Sequence, residues 1–322
     1  MKRTTGKKIV SLCLALLVFV AALPLGAIST LAAEVAPQAE TLTGYAHSAT
    51  NSYGDVFLGG QYMEIGISTH GSFGTQSSPP SGSGFYNNSQ IGMLIDGDGW
   101  GTGKTPTTGD FFLPGTPEER YIFAYYVNGT KYEFPIADRM SLSMNYWSTV
   151  PKVVDASYGD TLCAVVTGVT THGVELKITY SFKATDKAYS TKFEITNKGT
   201  YDITNVRFVR SFDPDQDANK HGDYYTYNKV ISNPTSSLPG SDTNYAMVVA
   251  KGATTREGFF FIAFDNRARV SRNTGFSLGS AYATGVWVEN TGDPTYATDA
   301  SLNSLGTKED SNIAIAFNLG TI

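Results

Sequence analysis

The chain has 322 residues, 41% of them hydrophobic, 12% aromatic and only 16% charged, with a formal net charge of −5. So aromatic a composition excludes a disordered chain, and the acidic balance excludes a protein that binds nucleic acid through a basic face. The apolar content suffices for one large domain or two ordinary ones.

The first 33 residues read as a secretory signal. Lys2, Arg3, Lys7 and Lys8 form a positive start, and an apolar run without a charge follows from Ile9 to Pro24. Small residues around Thr30-Leu31-Ala32 then offer a cleavage point. A retained membrane anchor is the competing reading, but Pro24, Gly26, Ser29 and Thr30 interrupt the run. The expectation is a secreted or cell-surface protein with no membrane span after cleavage. Removing residues 1–33 takes four basic residues and no acidic one, so the formal charge falls from −5 to −9. One cysteine, Cys163, then remains, too few for an internal disulfide. Its apolar neighbours make it a small core residue rather than a nucleophile.

Residues 34–42 read as a polar tether, and 43–322 as one domain. No stretch of this domain repeats its apolar residues at the helical period. Strand candidates come in chain order at Tyr62–Ser68 and Ile91–Ile95. The segment 69–119 around the second is crowded with Gly, Ser, Pro and Asn, and loops gathered at one rim are expected there. Further candidates are Tyr121–Val127, Lys131–Pro135 and Leu162–Val169. From Val174 to Phe182 the even positions are apolar and the odd ones polar, the pattern of a strand with one face in water. Thr191–Thr196 alternates likewise, Asn197-Lys-Gly-Thr is a turn, and Ile203–Phe212 is the next strand. Tyr245–Ala250, Gly258–Phe264, Gly285–Val288 and Ile313–Leu319 complete the set. A dozen or so short strands with turns between them point to an all-β fold. The expected architecture is one large two-sheet antiparallel sandwich with long Gly/Ser/Asn-rich loops.

Four segments carry a resemblance: Phe57-Leu-Gly-Gly-Gln-Tyr-Met-Glu-Ile-Gly-Ile-Ser, Gly71-Ser-Phe-Gly-Thr, Asp110-Phe-Phe-Leu-Pro-Gly-Thr-Pro-Glu-Glu and Arg210-Ser-Phe-Asp-Pro-Asp-Gln-Asp. They resemble an N-terminal module of large bacterial cell-surface proteins of the surface-layer and adhesin type. Val174 to Asp217 is also similar to the β-supersandwich of galactose mutarotase-like and glycosidase accessory domains. The resemblance covers most of residues 55–320. It implies a supersandwich-like fold, and a domain truncated after Phe317-Asn-Leu-Gly-Thr-Ile, where such proteins continue. Mutarotases work with a His and a Glu; no such pair is placed by this sequence, so catalysis is not carried over.

The sharpest constellation is Asp213-Pro-Asp-Gln-Asp-Ala-Asn-Lys-His-Gly-Asp223. Asp213, Asp215, Asp217 and Asp223 supply oxygens at a spacing that suits calcium. Ala218 and Tyr224 stand where an EF-hand has Gly and Glu, so the loop is not an EF-hand. A carboxylate cluster that contacts sugar hydroxyls, and a solvated turn with Asp213 and Asp215 paired to Arg207 or Arg210, are the other readings. Asp96-Gly-Asp-Gly-Trp-Gly also fails the EF-hand pattern and reads as a glycine-rich turn. Glu64, Glu118 and Glu119 are acids in search of a partner. His47, His70, His172 and His221 show no metal spacing.

Trp100, Trp147, Tyr224, Tyr225 and Tyr227 lie in or near loops and are the candidate ligand-binding aromatics, since flat rings with a polar edge suit sugars. The reading is a non-catalytic surface module that binds glycan or a cell-wall or matrix polymer, or supports an adhesin. A carbohydrate-active enzyme (epimerase, lyase or hydrolase) and a calcium-rigidified structural wall-layer domain are the alternatives.

Overall fold

A computed structural model describes residues 41–102, 106–113, 119–137, 146–234, 244–272, 278–287 and 306–322, and the backbone of 9–17. The strands in chain order are β1 (Ile9–Leu17), β2 (His47–Thr50), β3 (Val56–Gly59), β4 (Met63–Ile67) and β5 (Met93–Ile95). Then come β6 (Glu119–Val127), β7 (Thr130–Ala137), β8 (Trp147–Asp155), β9 (Thr161–Thr170), β10 (Val174–Lys183), β11 (Ala188–Asn197) and β12 (Ile203–Phe212). After the short helix α1 (Ala218–His221) follow β13 (Thr226–Ser232), β14 (Ala246–Gly252), β15 (Gly258–Ala263) and β16 (Ala268–Arg272). Helix α2 (Thr284–Trp287), β17 (Thr307–Glu309) and β18 (Ile313–Gly320) end the chain.

The fold is all-β, but it is not the expected two-sheet sandwich. Four small sheets stand in a ring, in the manner of a four-bladed β-propeller. One is β2-β3-β4-β5, one is β16-β18-β12-β6-β7, one is β11-β10-β9-β8 and one is β17-β13-β14-β15. Strand β1 pairs antiparallel with β11 along its length and with β15 at Ala15–Leu17, so it joins the last two into one ladder. The signal expected at residues 1–33 otherwise lies outside the described residues, as does the tether up to residue 40.

Burial explains the correction. Each sheet of a two-layer sandwich keeps one face in water. Here β10 alternates buried and half-buried residues as its sequence predicts, but β3, β4 and β5 are buried at every position and β6 at all but one. Strands covered on both faces read as continuous apolar runs rather than alternations. Periodicity therefore finds such strands without telling how many sheets they belong to.

The main core joins the inner faces of these sheets. Phe193 of β11 stacks on Phe208 of β12 at 4.1 Å, and Phe112 lies 4.0 Å from Phe212. Burying a side chain of this size stabilises by about 1.5–3 kcal/mol. Phe73 packs on Tyr180, Tyr189 and Phe112 from within the glycine-rich segment. Residues 71–75 are buried, so this part of 69–119 plugs the core instead of lying at a rim. Its anchors are the Tyr121 hydroxyl on the His70 carbonyl (2.8 Å), the Tyr180 hydroxyl on the Gly71 carbonyl (2.7 Å), and the Phe73 amide on Glu119 Oε2 (2.6 Å).

Two further differences are local. Of Gly285–Val288, expected as a strand, the first three residues fall on α2 and Val288 lies outside the described residues. Strands β1, β2, β3, β8, β13, β16 and β17 lie where no strand was expected, and four of them, β2, β3, β16 and β17, are only three to five residues long.

Candidate functional site

The acidic loop leaves the end of β12 and turns through α1. Asp213, Asp215 and Asp217 are buried. Asp217 caps the turn at residues 252–257: its Oδ2 accepts the amides of Thr254 (2.8 Å) and Thr255 (3.1 Å), and its Oδ1 accepts the Thr255 hydroxyl (2.5 Å). A Cβ on Gly252 would lie 2.4 Å from that carboxylate, so only glycine lets the two approach. Asp223 accepts the Tyr225 amide and the Thr254 hydroxyl. On its other side the loop holds residues 106–111. The Gln216 carbonyl accepts the Gly109 amide (2.8 Å), the Asp215 amide donates to the Phe111 carbonyl (3.1 Å), and the Lys220 ammonium donates to the Pro106 carbonyl.

The loop thus brackets two others, with Asp217 and Asp223 both turned to Thr254 and Asp215 turned elsewhere. Asp215 faces Asp310, and burial together with that second carboxylate pushes its pKa up to about 7. Among the described residues, no group of three or more His, Cys, Asp or Glu side chains stands where it could hold a metal ion. The arginines weighed as partners are used elsewhere. Arg210 is buried against Glu119, with Nε 3.0 Å from Oε1, and Arg207 lies 3.9 Å over the Trp287 ring. That also removes Glu119 from the list of acids open to a ligand; Glu118 lies outside the described residues.

The predicted aromatics separate into three situations. Trp147 is buried, edge-on to Phe134 at 4.9 Å, with Gly168 beneath it; a Cβ there would lie 2.9 Å from the indole. It packs the core and offers no face to a ligand. Tyr224 and Tyr225 are about half exposed, at 50% and 49%, and Tyr227 is half-buried. The Lys308 ammonium stands 5.0 Å from the Tyr225 ring and the Arg256 guanidinium 4.6 Å from Tyr227. Cations already occupy ring faces there.

Trp100 is different. Tyr86 stacks on it with centroids 4.9 Å apart and planes 23° apart, and Tyr86 is 49% exposed. The inner edge of Trp100 packs on a separate small core of Phe57, Phe85, Ile91 and Leu94. The pair is held from both sides. The Trp100 amide donates to the Gln61 carbonyl (3.1 Å) across the turn at Gly99, whose φ of +98° suits glycine. The Tyr86 amide donates to Glu64 Oε1 at 2.6 Å, and Glu64 is fully buried in β4. Beside it, His47 Nε2 stands 3.9 Å from the same carboxylate, and His47 lies edge-on to Phe85 at 4.6 Å. Burial opposes charge on His47, but the nearby Glu64 carboxylate and the Tyr45 carbonyl outweigh it, and its pKa rises. Lys187 reaches over Tyr62 and donates to the Gly97 carbonyl at 2.6 Å, closing one flank.

The sequence offered Trp100 but neither Tyr86 nor the His47–Glu64 contact. The contact spans the β2–β3–β4 ladder, in which His47 pairs with Gly59 and Gly59 with Glu64. A Cβ on Gly59 would lie 2.1 Å from the imidazole. The glycine between two polar residues on adjacent strands is the only trace of this in the sequence.

The geometry defines an all-β protein with a supported aromatic platform and no assembled metal cluster among its described residues. No family model matches the chain, and no curated protein matches its sequence.

Proposed function

We propose that this is a secreted or surface-displayed, non-catalytic β-protein that binds glycan or a cell-wall polymer through Tyr86 and Trp100. The observation that carries the reading is the half-exposed Tyr86 ring, stacked on Trp100 and with its amide pinned by a buried carboxylate. Preorganised rings bind with little loss of side-chain freedom. The export-like N-terminus and the similarity to bacterial cell-surface modules agree with it. Glu64 serves as a support here rather than as a catalytic acid, because its two oxygens accept the Tyr86 and Asn87 amides and it is shut off from solvent.

Affinity electrophoresis of the full chain against neutral and acidic polysaccharides tests this. At least one polymer should retard the protein, and Tyr86→Ala with Trp100→Ala should lower that retardation about tenfold. Equal retardation of the variant and the parent would overturn the assignment.

A calcium-rigidified domain is the second reading, favoured by the buried Asp215 carboxylate facing Asp310. It requires a melting temperature that rises with calcium and falls with chelator. An unchanged melt removes it.

A further inference from the structure

A second row of rings lies far from Trp100. Tyr132 of β7, Tyr146 just before β8, His172 in the turn between β9 and β10, and Tyr201 in the turn between β11 and β12 meet where two of the sheets adjoin. Tyr146 and Tyr132 centroids are 5.7 Å apart, Tyr132 and His172 4.3 Å, and His172 and Tyr201 5.5 Å, each pair edge to face. The two end tyrosines are exposed, Tyr146 at 43% and Tyr201 at 46%, while Tyr132 and His172 are half-buried between them.

The row is built rather than incidental. Every member but Tyr132 is pinned from outside its own ring contacts. The Thr171 amide donates to the Tyr146 carbonyl (2.9 Å), and Asn197 Nδ2 donates to the Tyr201 carbonyl (2.8 Å). The buried Tyr125 hydroxyl stands 3.1 Å from His172 Nδ1 and donates to Thr170 Oγ1 at 2.8 Å. The turns that carry His172 and Tyr201 press together at two glycines: a Cβ on Gly199 would lie 2.0 Å from the His172 carbonyl oxygen. Burial lowers the His172 pKa, so the ring is neutral at pH 7. On these turns Lys198 pairs with Glu175 at 2.5 Å, and the exposed, acidic Asp202 follows Tyr201.

We infer that Tyr146, Tyr132, His172 and Tyr201 form a second carbohydrate-binding platform, selective for uncharged sugar chains. It rests on the proposed glycan-binding function but on none of the same residues. The exposed rings at the two ends, Tyr146 and Tyr201, can each meet a sugar of one chain, while their edge-to-face contacts with Tyr132 and His172 hold them in place. The absence of ionised groups among the four rings favours neutral polymers over uronates or phosphorylated glycans.

The two platforms occupy opposite ends of one blade. Gln61, which holds Trp100, donates to the carbonyl of Ala184 in the β10–β11 turn, whereas His172 and Tyr201 sit at the far ends of β10 and β11. Ten residues of strand separate the ends by about 30 Å. One molecule can therefore bridge two polymer chains, and bridging raises avidity without any new contact.

The test uses the full chain with hydroxyethylcellulose and mannan as neutral probes and polygalacturonate as the acidic one, read by gel retardation and by turbidity from cross-linking. Tyr146→Ala with Tyr201→Ala should abolish turbidity and lower the apparent affinity for the neutral polymer about tenfold. Tyr146→Phe with Tyr201→Phe, which keeps the rings, should retain at least half of both, and matched melting curves show that each variant folds. If the alanine variant matches the parent while Tyr86→Ala with Trp100→Ala loses binding, the second platform is wrong and the first stands. If the reverse holds, the first is wrong and the second stands. A parent retarded only by polygalacturonate overturns the neutral-sugar assignment, and one retarded by no polymer overturns both.

Discussion

Removing Glu119 should nearly unfold the protein, whereas removing it together with Arg210 should not. Glu119 and Arg210 have side chains only 1% exposed. Glu119 accepts the Arg210 guanidinium on one oxygen and the Phe73 amide on the other, at 2.6 Å. Arg210 is sandwiched between Phe73 and Tyr180, 4.8 and 5.0 Å from their centroids. Burial works against its charge, but Glu119 keeps it protonated. Glu119→Ala leaves that cation buried without its anion, at a cost of about 3–5 kcal/mol. It also orphans the Phe73 amide, about 1–3 kcal/mol more. Relaxation offsets part of this, so a loss of about 4–6 kcal/mol is expected, most of the stability of a typical domain. Glu119→Leu with Arg210→Met replaces the ion pair by apolar groups and should cost under about 2 kcal/mol. Arg210→Met alone leaves a buried carboxylate, which protonates as pH falls, so this variant should regain stability in acid while Glu119→Ala does not. Urea titration followed by tryptophan fluorescence from pH 4.5 to 8 measures all four chains. A Glu119→Ala cost below about 1 kcal/mol, or a double variant worse than both single ones, would refute the reasoning.

Three other outcomes follow from the same geometry. In NMR titration the His47 imidazole should titrate above the ordinary histidine value and His172 below it; the opposite order would contradict the Glu64 contact and the burial of His172. Asp215 has a folded pKa raised to about 7, above its unfolded value, so its contribution favours the folded state at acid pH and is lost as pH rises from about 4 through 7. Asp215→Asn should flatten the fall in melting temperature across that range, and an unchanged slope would reassign it to other groups. Gly66→Ala places a Cβ 2.1 Å from the Ile91 carbonyl oxygen, a backbone atom that cannot step aside, and should cost about 1–3 kcal/mol in urea titration. A neutral result would mean that the β4–β5 edge yields.

Legibility tracked how each residue is buried. Val174–Phe182 was readable because its odd positions stay half-buried while its even ones enter the core, and alternation reports that. The segment Gly71–Thr75 was not, since small and polar residues look like a surface loop until Phe73 is seen seated among Tyr180, Tyr189 and Phe112. Gly285–Val288 is too short for periodicity to distinguish a strand from one helical turn. In the acidic loop, sequence spacing showed that the carboxylates are near one another along the chain. It could not show that Asp217 turns to the Thr254 amide and Asp215 to Asp310.

The sequence by itself determined that the protein is all-β and acidic, that Cys163 is the one cysteine after residue 33, and that Trp100 and the loop tyrosines are places to look for a ligand. Each of these follows from composition or from the two-residue period of a strand, which are properties of the chain alone. Tertiary structure decided that the strands form four sheets in a ring, that Trp147 is core while Trp100 stacks on Tyr86, and that His172 joins three tyrosines in a row. Those outcomes depend on which strand edges pair and which turns press together across long stretches of chain, and sheet pairing joins residues that no local pattern relates.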